Sequence, residues 1–187
     1  MRNVYITSTR LNRYLKRPHK FEGLGSGKLK NQLTETLDDV DLKIVTLLQE
    51  DSRLSFNKIA NKLGISVGTA YNRVKNLEAM GVLKGYTVTL DPFKLGFGLT
   101  AIIMVQVEGG HLTEVEQEIA KNTNVIAIYD ITGEYDAAAI TKFKDRLGLN
   151  DFVKSLLATP YVKRTVTSVA LDIIKEEYRI NLCNAQK

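Results

Sequence analysis

The sequence predicts an α+β chain of two small domains, an N-terminal winged helix-turn-helix followed by a C-terminal ferredoxin-like βαββαβ unit. Three observations predict it. Residues 38–86 carry three successive amphipathic patterns with the joint Leu63-Gly64-Ile65-Ser66 between the second and third. Asp91-Pro92 then breaks the chain, because the residue before a proline is pushed out of the helical region. From Leu99 to Asp172, β-branched apolar runs alternate with helical faces. A length of 187 residues, 44% of them hydrophobic and 25% charged, suffices for one trihelical core and one α+β core.

The first helix is expected over Asp38–Glu50, where Val40, Ile44, Leu47 and Leu48 recur at helical spacing behind the acidic start Asp38, Asp39 and Asp41. In the second, Ser55 is the N-cap and Phe56, Ile59, Ala60 and Leu63 form the apolar face; Gly64 stands where a left-handed residue stops the helix. Ile65 plugs the turn, Ser66 caps the third helix, and Ala70, Val74 and Leu77 give it a narrow stripe to rest on the other two. Two glycines, Gly81 and Gly85, flank a short apolar piece, and Thr87–Leu90 alternates like a wing or linker strand.

In the second half, Leu99–Val107 reads as a strand ended by Gly109-Gly110. Thr113 with Glu116 resembles a capping box, and Leu112, Val115 and Ile119 supply a helix face. Val125–Ile131 and Tyr135–Lys142 are strands expected to pair antiparallel across Thr132-Gly133-Glu134. Phe152, Val153, Leu156 and Leu157 make a second helix face ended by Thr159-Pro160, and Val162–Asp172 closes the unit as a strand. The order is βαββαβ, the split ferredoxin-like motif.

A helix-turn-helix makes double-stranded DNA the first partner to consider. At about 100° per residue, Thr69, Asn72, Arg73 and Asn76 share one sector of the third helix, away from its apolar stripe. Their chemistry suits bases: asparagine can bond adenine bidentately, arginine can bond guanine or a phosphate, and threonine can meet a thymine methyl. Ser66 sits at the helix N-terminus, which itself attracts phosphate. Tyr71, Lys75, Lys62 and Lys58 read as phosphate or sugar contacts that position without specifying. The plain alternative is a solvated helix face.

The net charge of +5 is unevenly placed. Residues 1–37 hold eight basic side chains against Glu22 and Glu35, a surplus of six, so the remainder carries −1. With Gly23, Gly25, Ser26 and Gly27 behind it, the N-terminal arm over 1–36 is a basic tail that strengthens phosphate binding, an extension without consequence, or a stretch upstream of the true translation start. No apolar run reaches membrane-spanning length and no signal peptide is recognisable, so a soluble cytoplasmic protein is expected. A single cysteine, Cys183, excludes an internal disulfide and a cysteine metal cluster. His19 and His111 lie in separate segments, and neither a metal site, a cofactor nor an acid–base pair is indicated.

Five runs in this order resemble the Lrp/AsnC family of feast/famine transcription regulators: Leu37-Asp38-Asp39-Val40-Asp41-Leu42-Lys43-Ile44, Gly64-Ile65-Ser66, Arg73-Val74-Lys75-Asn76-Leu77-Glu78, Gly81-Val82-Leu83-Lys84-Gly85-Tyr86 and Thr132-Gly133-Glu134-Tyr135-Asp136. The resemblance spans residues 37–175. It implies a DNA-binding domain over 37–86, a linker strand and hinge over 87–98, an effector and oligomerisation domain over 99–175 and a tail over 176–187. It further implies dimers that often assemble into octamers and control of transcription by a small molecule, usually an amino acid. The family's effector sites form between effector domains around the hairpin loop, here Thr132, Gly133, Glu134, Tyr135 and Asp136. Gly133 lets backbone N–H groups approach a carboxylate, and Glu134 or Asp136 can take an ammonium group. The alternative for this loop is a plain hairpin with acids in solvent. One departure stands out: Val67-Gly68 replaces the proline and small polar residue of many relatives, and Gly68 weakens the helix start by up to about 1 kcal/mol relative to alanine.

Two other classes share some of these features. Siroheme decarboxylases resemble the same architecture, but they would need histidine and arginine around a tetrapyrrole and would leave the polar sector of the third helix unexplained. An architectural protein that coats DNA without sequence preference would account for the basic arm.

Overall fold

The computed structural model describes residues 37–182. The basic arm, His19 and Cys183 lie outside the described residues. The described residues divide into two compact units, with the boundary on the linker at Thr89/Leu90 and residues 175–182 belonging with the first unit.

The first unit is trihelical: α1 (Asp39–Glu50), α2 (Phe56–Leu63) and α3 (Val67–Ala79). Each begins at a side-chain cap, Ser55 and Ser66 as expected and Asp38 one residue outside the helix expected to include it. Asp38 and Asp41 form a reciprocal capping box, the Asp41 N–H donating to Asp38 Oδ1 at 2.8 Å and the Asp38 N–H to Asp41 Oδ2 at 3.2 Å. Ser55 caps α2 and Ser66 caps α3. Gly64 ends α2 at φ 67°, the left-handed conformation that an L side chain resists. The three faces meet in one core of Ile44, Leu48, Ile59, Ala60, Ala70, Val74 and Leu77, with Val40, Leu63, Ile65 and Leu83 packed around it. At the far end of α1, Gln49 clasps the C-terminal segment: its amide nitrogen donates to the Ile180 carbonyl at 3.2 Å and its oxygen accepts the Ile180 N–H at 2.9 Å. The expected tail over 176–187 is thus held, where described, against the helical unit.

The second unit runs β1 (Leu99–Val107), α4 (Leu112–Ala120), β2 (Val125–Asp130), β3 (Ala137–Phe143), α5 (Arg146–Ala158) and β4 (Val162–Val169). All neighbours are antiparallel in the order β2-β3-β1-β4, which is the βαββαβ arrangement expected. Alternation sorts the strands' side chains. Ala101, Ile103, Val105, Val107, Ala137, Ala139 and Phe143 face the helices and are buried with Val115, Ile119, Leu149, Phe152 and Leu156. The other face is open and carries Ile102, Met104, Ile140, Val166 and Tyr129 in adjacent registers.

Four local expectations change. Thr87–Leu90 forms no strand, because a ladder needs a second strand and none lies beside it among the described residues; Val88 and Leu90 stand exposed. α4 starts at Leu112 with His111 at its N-cap and no side-chain cap bond, so Thr113 lies inside the first turn and cannot be the cap. Burying Leu112 against the core fixes that earlier start. In α5, Leu149 takes a core place and Leu157 is exposed. β4 stops at Val169, short of Asp172.

Candidate nucleic-acid interface and effector loop

α3 presents Thr69, Tyr71, Asn72, Lys75 and Asn76 on its exposed side, while Ala70, Val74 and Leu77 are buried beneath. Ser66 is occupied by the cap: its Oγ accepts the Thr69 N–H at 3.0 Å and lies 2.8 Å from Thr69 Oγ1. The Tyr71 ring stands edge-on to Phe56 at 5.2 Å between centroids, which anchors it beside the turn. Lys75 Nζ donates to Glu78 at 2.7 Å, and Glu78 also accepts from the Tyr86 hydroxyl at 3.0 Å, tying the wing segment to α3. Lys58 and Lys62 are exposed on α2.

Arg73 has partners within the unit. Its Nη1 donates to Asp38 Oδ2 at 2.7 Å and to Asp41 Oδ1 at 2.8 Å, so the guanidinium staples α3 to the N-terminus of α1. Arg73 and the two asparagines share a sector of the helix, but the acidic cap of α1 lies close enough to draw the longer side chain inward. Bonds from Asp41 and then Asp38 hold Arg73 further above its ordinary range. Asp38 in turn is held below its usual 3.8, first by the Asp41 N–H and then by Arg73. Glu78 is held below 4.5 by Lys75 and then Tyr86.

These lowered carboxylates set a sign. A carboxyl group whose folded value is depressed contributes stability above its unfolded value and loses it as pH falls. The helical unit is therefore expected to weaken progressively below about pH 4.5, the ordinary Glu78 value, and further as Asp38 protonates below 3.8. Denaturant titrations followed by helical circular dichroism between about pH 6 and pH 3 would show this. Arg73→Gln should flatten the Asp38 part of the profile.

Gly68 is where a small gain is expected. A Cβ there would meet only Ser66 Oγ, at 3.9 Å, and the backbone is not in the left-handed region. Gly68→Ala should stabilise the unit by about 0.5–1 kcal/mol in the same denaturant assay.

In the second unit the hairpin loop joins β2 to β3. Gly133 adopts φ 126°, which a side chain would strain. Asp136 is buried at 7% exposure, and its Oδ2 accepts the Val107 N–H at 2.8 Å while its own N–H donates to the Val105 carbonyl at 2.9 Å. Its carboxylate faces β1, bonded to the Val107 backbone. Asp136→Ala would orphan that N–H, with an expected cost of about 1–3 kcal/mol measured by denaturant unfolding. Glu134 is the outward acid. Two residues not singled out in the sequence surround it: Gln106 Nε2 donates to the Glu134 carbonyl at 3.5 Å, and Arg164 Nη1 lies 3.6 Å from Glu134 Oε1. The Arg164 guanidinium also sits 5.9 Å from the Tyr135 ring centroid. Alternation puts Arg164 on the open face of β4, but only the strand order brings it beside the hairpin. His111 stacks on Tyr161 at 3.5 Å and bonds Glu114, next to the β1–α4 turn.

Comparison with known proteins fits both units. Residues 37–84 match the winged helix-turn-helix DNA-binding family, and residues 100–180 match the Lrp/AsnC ligand binding domain. The chain belongs to the Lrp/AsnC family. It is 51% identical over 144 residues to an uncharacterized HTH-type transcriptional regulator of Pyrococcus furiosus, covering 77% of this chain and 97% of that protein. It is 33% identical to the HTH-type transcriptional regulator FL11 of Pyrococcus horikoshii, over 75% of this chain and 93% of that one. Among solved structures, a transcriptional regulator of Neisseria meningitidis in complex with L-methionine superposes with a TM-score of 0.73 at 28% identity, covering 80% of this chain and 99% of that chain. LrpC of B. subtilis superposes with a TM-score of 0.67 at 29% identity, over 76% and 99%. This Lrp/AsnC member is accordingly a helix-turn-helix transcriptional regulator with a ligand-binding domain, and among its described residues no helix is long and apolar enough to cross a membrane.

Proposed function

We propose that this regulator acts in the cytoplasm, reads a specific DNA sequence with α3, and responds to an amino acid bound between effector domains around residues 132–136. The observation that carries the DNA reading is the exposed cluster of Thr69, Asn72 and Asn76 over a buried stripe. Tyr71, Lys75 and the capped N-terminus at Ser66 flank it as phosphate contacts. Arg73 serves by holding α3 in place. The ammonium-binding role falls to Glu134, with Thr132, Gly133 and Tyr135 around it and Asp136 shaping the loop. The methionine-bound Neisseria relative supports an amino acid as the effector class.

The open sheet face supports a homodimer. Ile102 is 40% exposed and Tyr129 50%, beside Met104, Ile140 and Val166, an apolar surface that a second copy would cover. Two-fold symmetry would then set two recognition helices about 34–36 Å apart on successive major grooves and demand a palindromic site. An amino acid that binds one assembly better than another shifts how many sites are engaged together.

Selection of genomic fragments by the purified protein, at about 0.2 M salt and with or without each amino acid, tests the whole reading. A shared palindrome whose recovery changes with one amino acid is expected. Recovery of fragments without a common sequence would replace it with non-specific coating.

A further inference from the structure

α3 carries two cations, Arg73 and Lys75, and acids of its own unit take up both of them. The two arrangements differ in how easily the cation is released. Arg73 bonds two carboxylates, Asp38 and Asp41, and Asp41 is only 18% exposed, so that staple is part of the fold. Lys75 bonds a single carboxylate, with Nζ 2.7 Å from Glu78 Oε2, and its side chain is 51% exposed. An exposed pair of this kind is held weakly enough for the lysine to change partners. Lys75 lies three residues beyond Asn72, one turn along the same side of the helix, so a duplex read by the asparagines brings phosphates within its reach. Glu78 stays behind. Its other oxygen, Oε1, accepts the Tyr86 hydroxyl at 3.0 Å, which holds the carboxylate on the flank of α3 beside the wing segment.

Resting on the reading of α3 as the recognition helix with Lys75 as a phosphate contact, we propose that Glu78 is an internal competitor for the DNA backbone. Its carboxylate occupies Lys75 in the free protein, and a phosphate must displace it. The exchange trades one anion for another, so the lysine adds little net attraction on binding. Phosphate contacts supply essentially all of non-specific binding, and Glu78 therefore limits how tightly the regulator holds any duplex. Tight binding is left to the base contacts of Thr69, Asn72 and Asn76. The same acid that ties the wing segment to α3 thus keeps the protein from being retained on bulk DNA.

Glu78→Gln keeps an oxygen for the Tyr86 hydroxyl and removes the charge. Fluorescence anisotropy of the full chain on operator and scrambled duplexes, from about 0.1 to 0.4 M salt, should show this variant binding both about three- to tenfold more tightly than the parent at the low end. Its plot of log affinity against log salt should be steeper by about one, the mark of one more phosphate neutralised. Glu78→Ala, which also removes the Tyr86 bond, should gain as much, because the gain follows the charge. With Lys75→Gln already present, either change should recover less than half of that gain on the logarithmic scale. An equal gain in the Lys75→Gln background overturns the proposal, since Glu78 would then act as a bulk charge and not through Lys75. A gain in neither variant overturns it as well. Both failures leave α3 as the reader so long as the Asn72→Ala, Asn76→Ala variant still loses the operator. If that variant loses nothing, the recognition helix is misplaced and this competitor falls with it.

Discussion

Replacing Asn72 and Asn76 together by alanine is expected to weaken binding to the selected operator by roughly a hundredfold or more, with little change in affinity for bulk DNA. Each bidentate contact to a base discriminates by about 1–3 kcal/mol, and the two side chains lie one turn apart on the same exposed side of α3. Neither residue belongs to the core of Ile44, Ile59, Ala70, Val74 and Leu77, so the double variant should fold as the parent does. A fluorescence-anisotropy titration against operator and scrambled duplexes separates the two affinities. Equal operator binding by the variant would move base reading off α3. Arg73→Ala should behave differently, because the loss begins with the contact between α3 and Asp38 and Asp41: unfolding stability and DNA affinity should fall together.

The second large effect lies in the effector domain. Phe143→Ala is expected to cost about 3–5 kcal/mol, since the ring is 2% exposed and leaves a cavity that the sheet cannot close. Phe143 ends β3 opposite Leu99 on β1, its ring lies 5.6 Å from that of Phe152 on α5, and Gly148 packs against its edge. One side chain therefore joins both central strands to the second helix. A whole domain has only about 5–15 kcal/mol of stability, so the variant should show an early unfolding transition in denaturant. That early transition, with the helical unit melting as in the parent, would be the expected signature of two separate cores.

What was legible in the sequence was mostly local. The three helices of the first unit follow from period, cap and stop: Asp38, Ser55 and Ser66 each bond the N–H three residues on, and Gly64 is left-handed where the turn requires it. The βαββαβ order follows from strand and helix periods and the Gly133 turn. Several of the differences turn on partners distant in sequence. Thr87–Leu90 has strand character, but pairing depends on a second strand. Arg73 looked free on a helical wheel, yet its fate was set by two carboxylates more than thirty residues earlier. Asp136 and Glu134 are two residues apart and chemically equivalent in the sequence; the backbone of Val107 turns one inward and leaves the other at the surface. Arg164 could be placed on a strand face, but its place beside the hairpin depends on β4 pairing with β1 on the side away from β3.

The central claim is that α3 reads a defined sequence from paired subunits. Hydroxyl-radical footprinting of the full chain on a fragment recovered from the genome tests it most directly. Two protected half-sites on one face of the duplex, about 10–10.5 base pairs apart centre to centre, with protection lost at both in the Asn72→Ala, Asn76→Ala variant, are predicted. Continuous protection along the fragment, unchanged by that variant, would contradict the account.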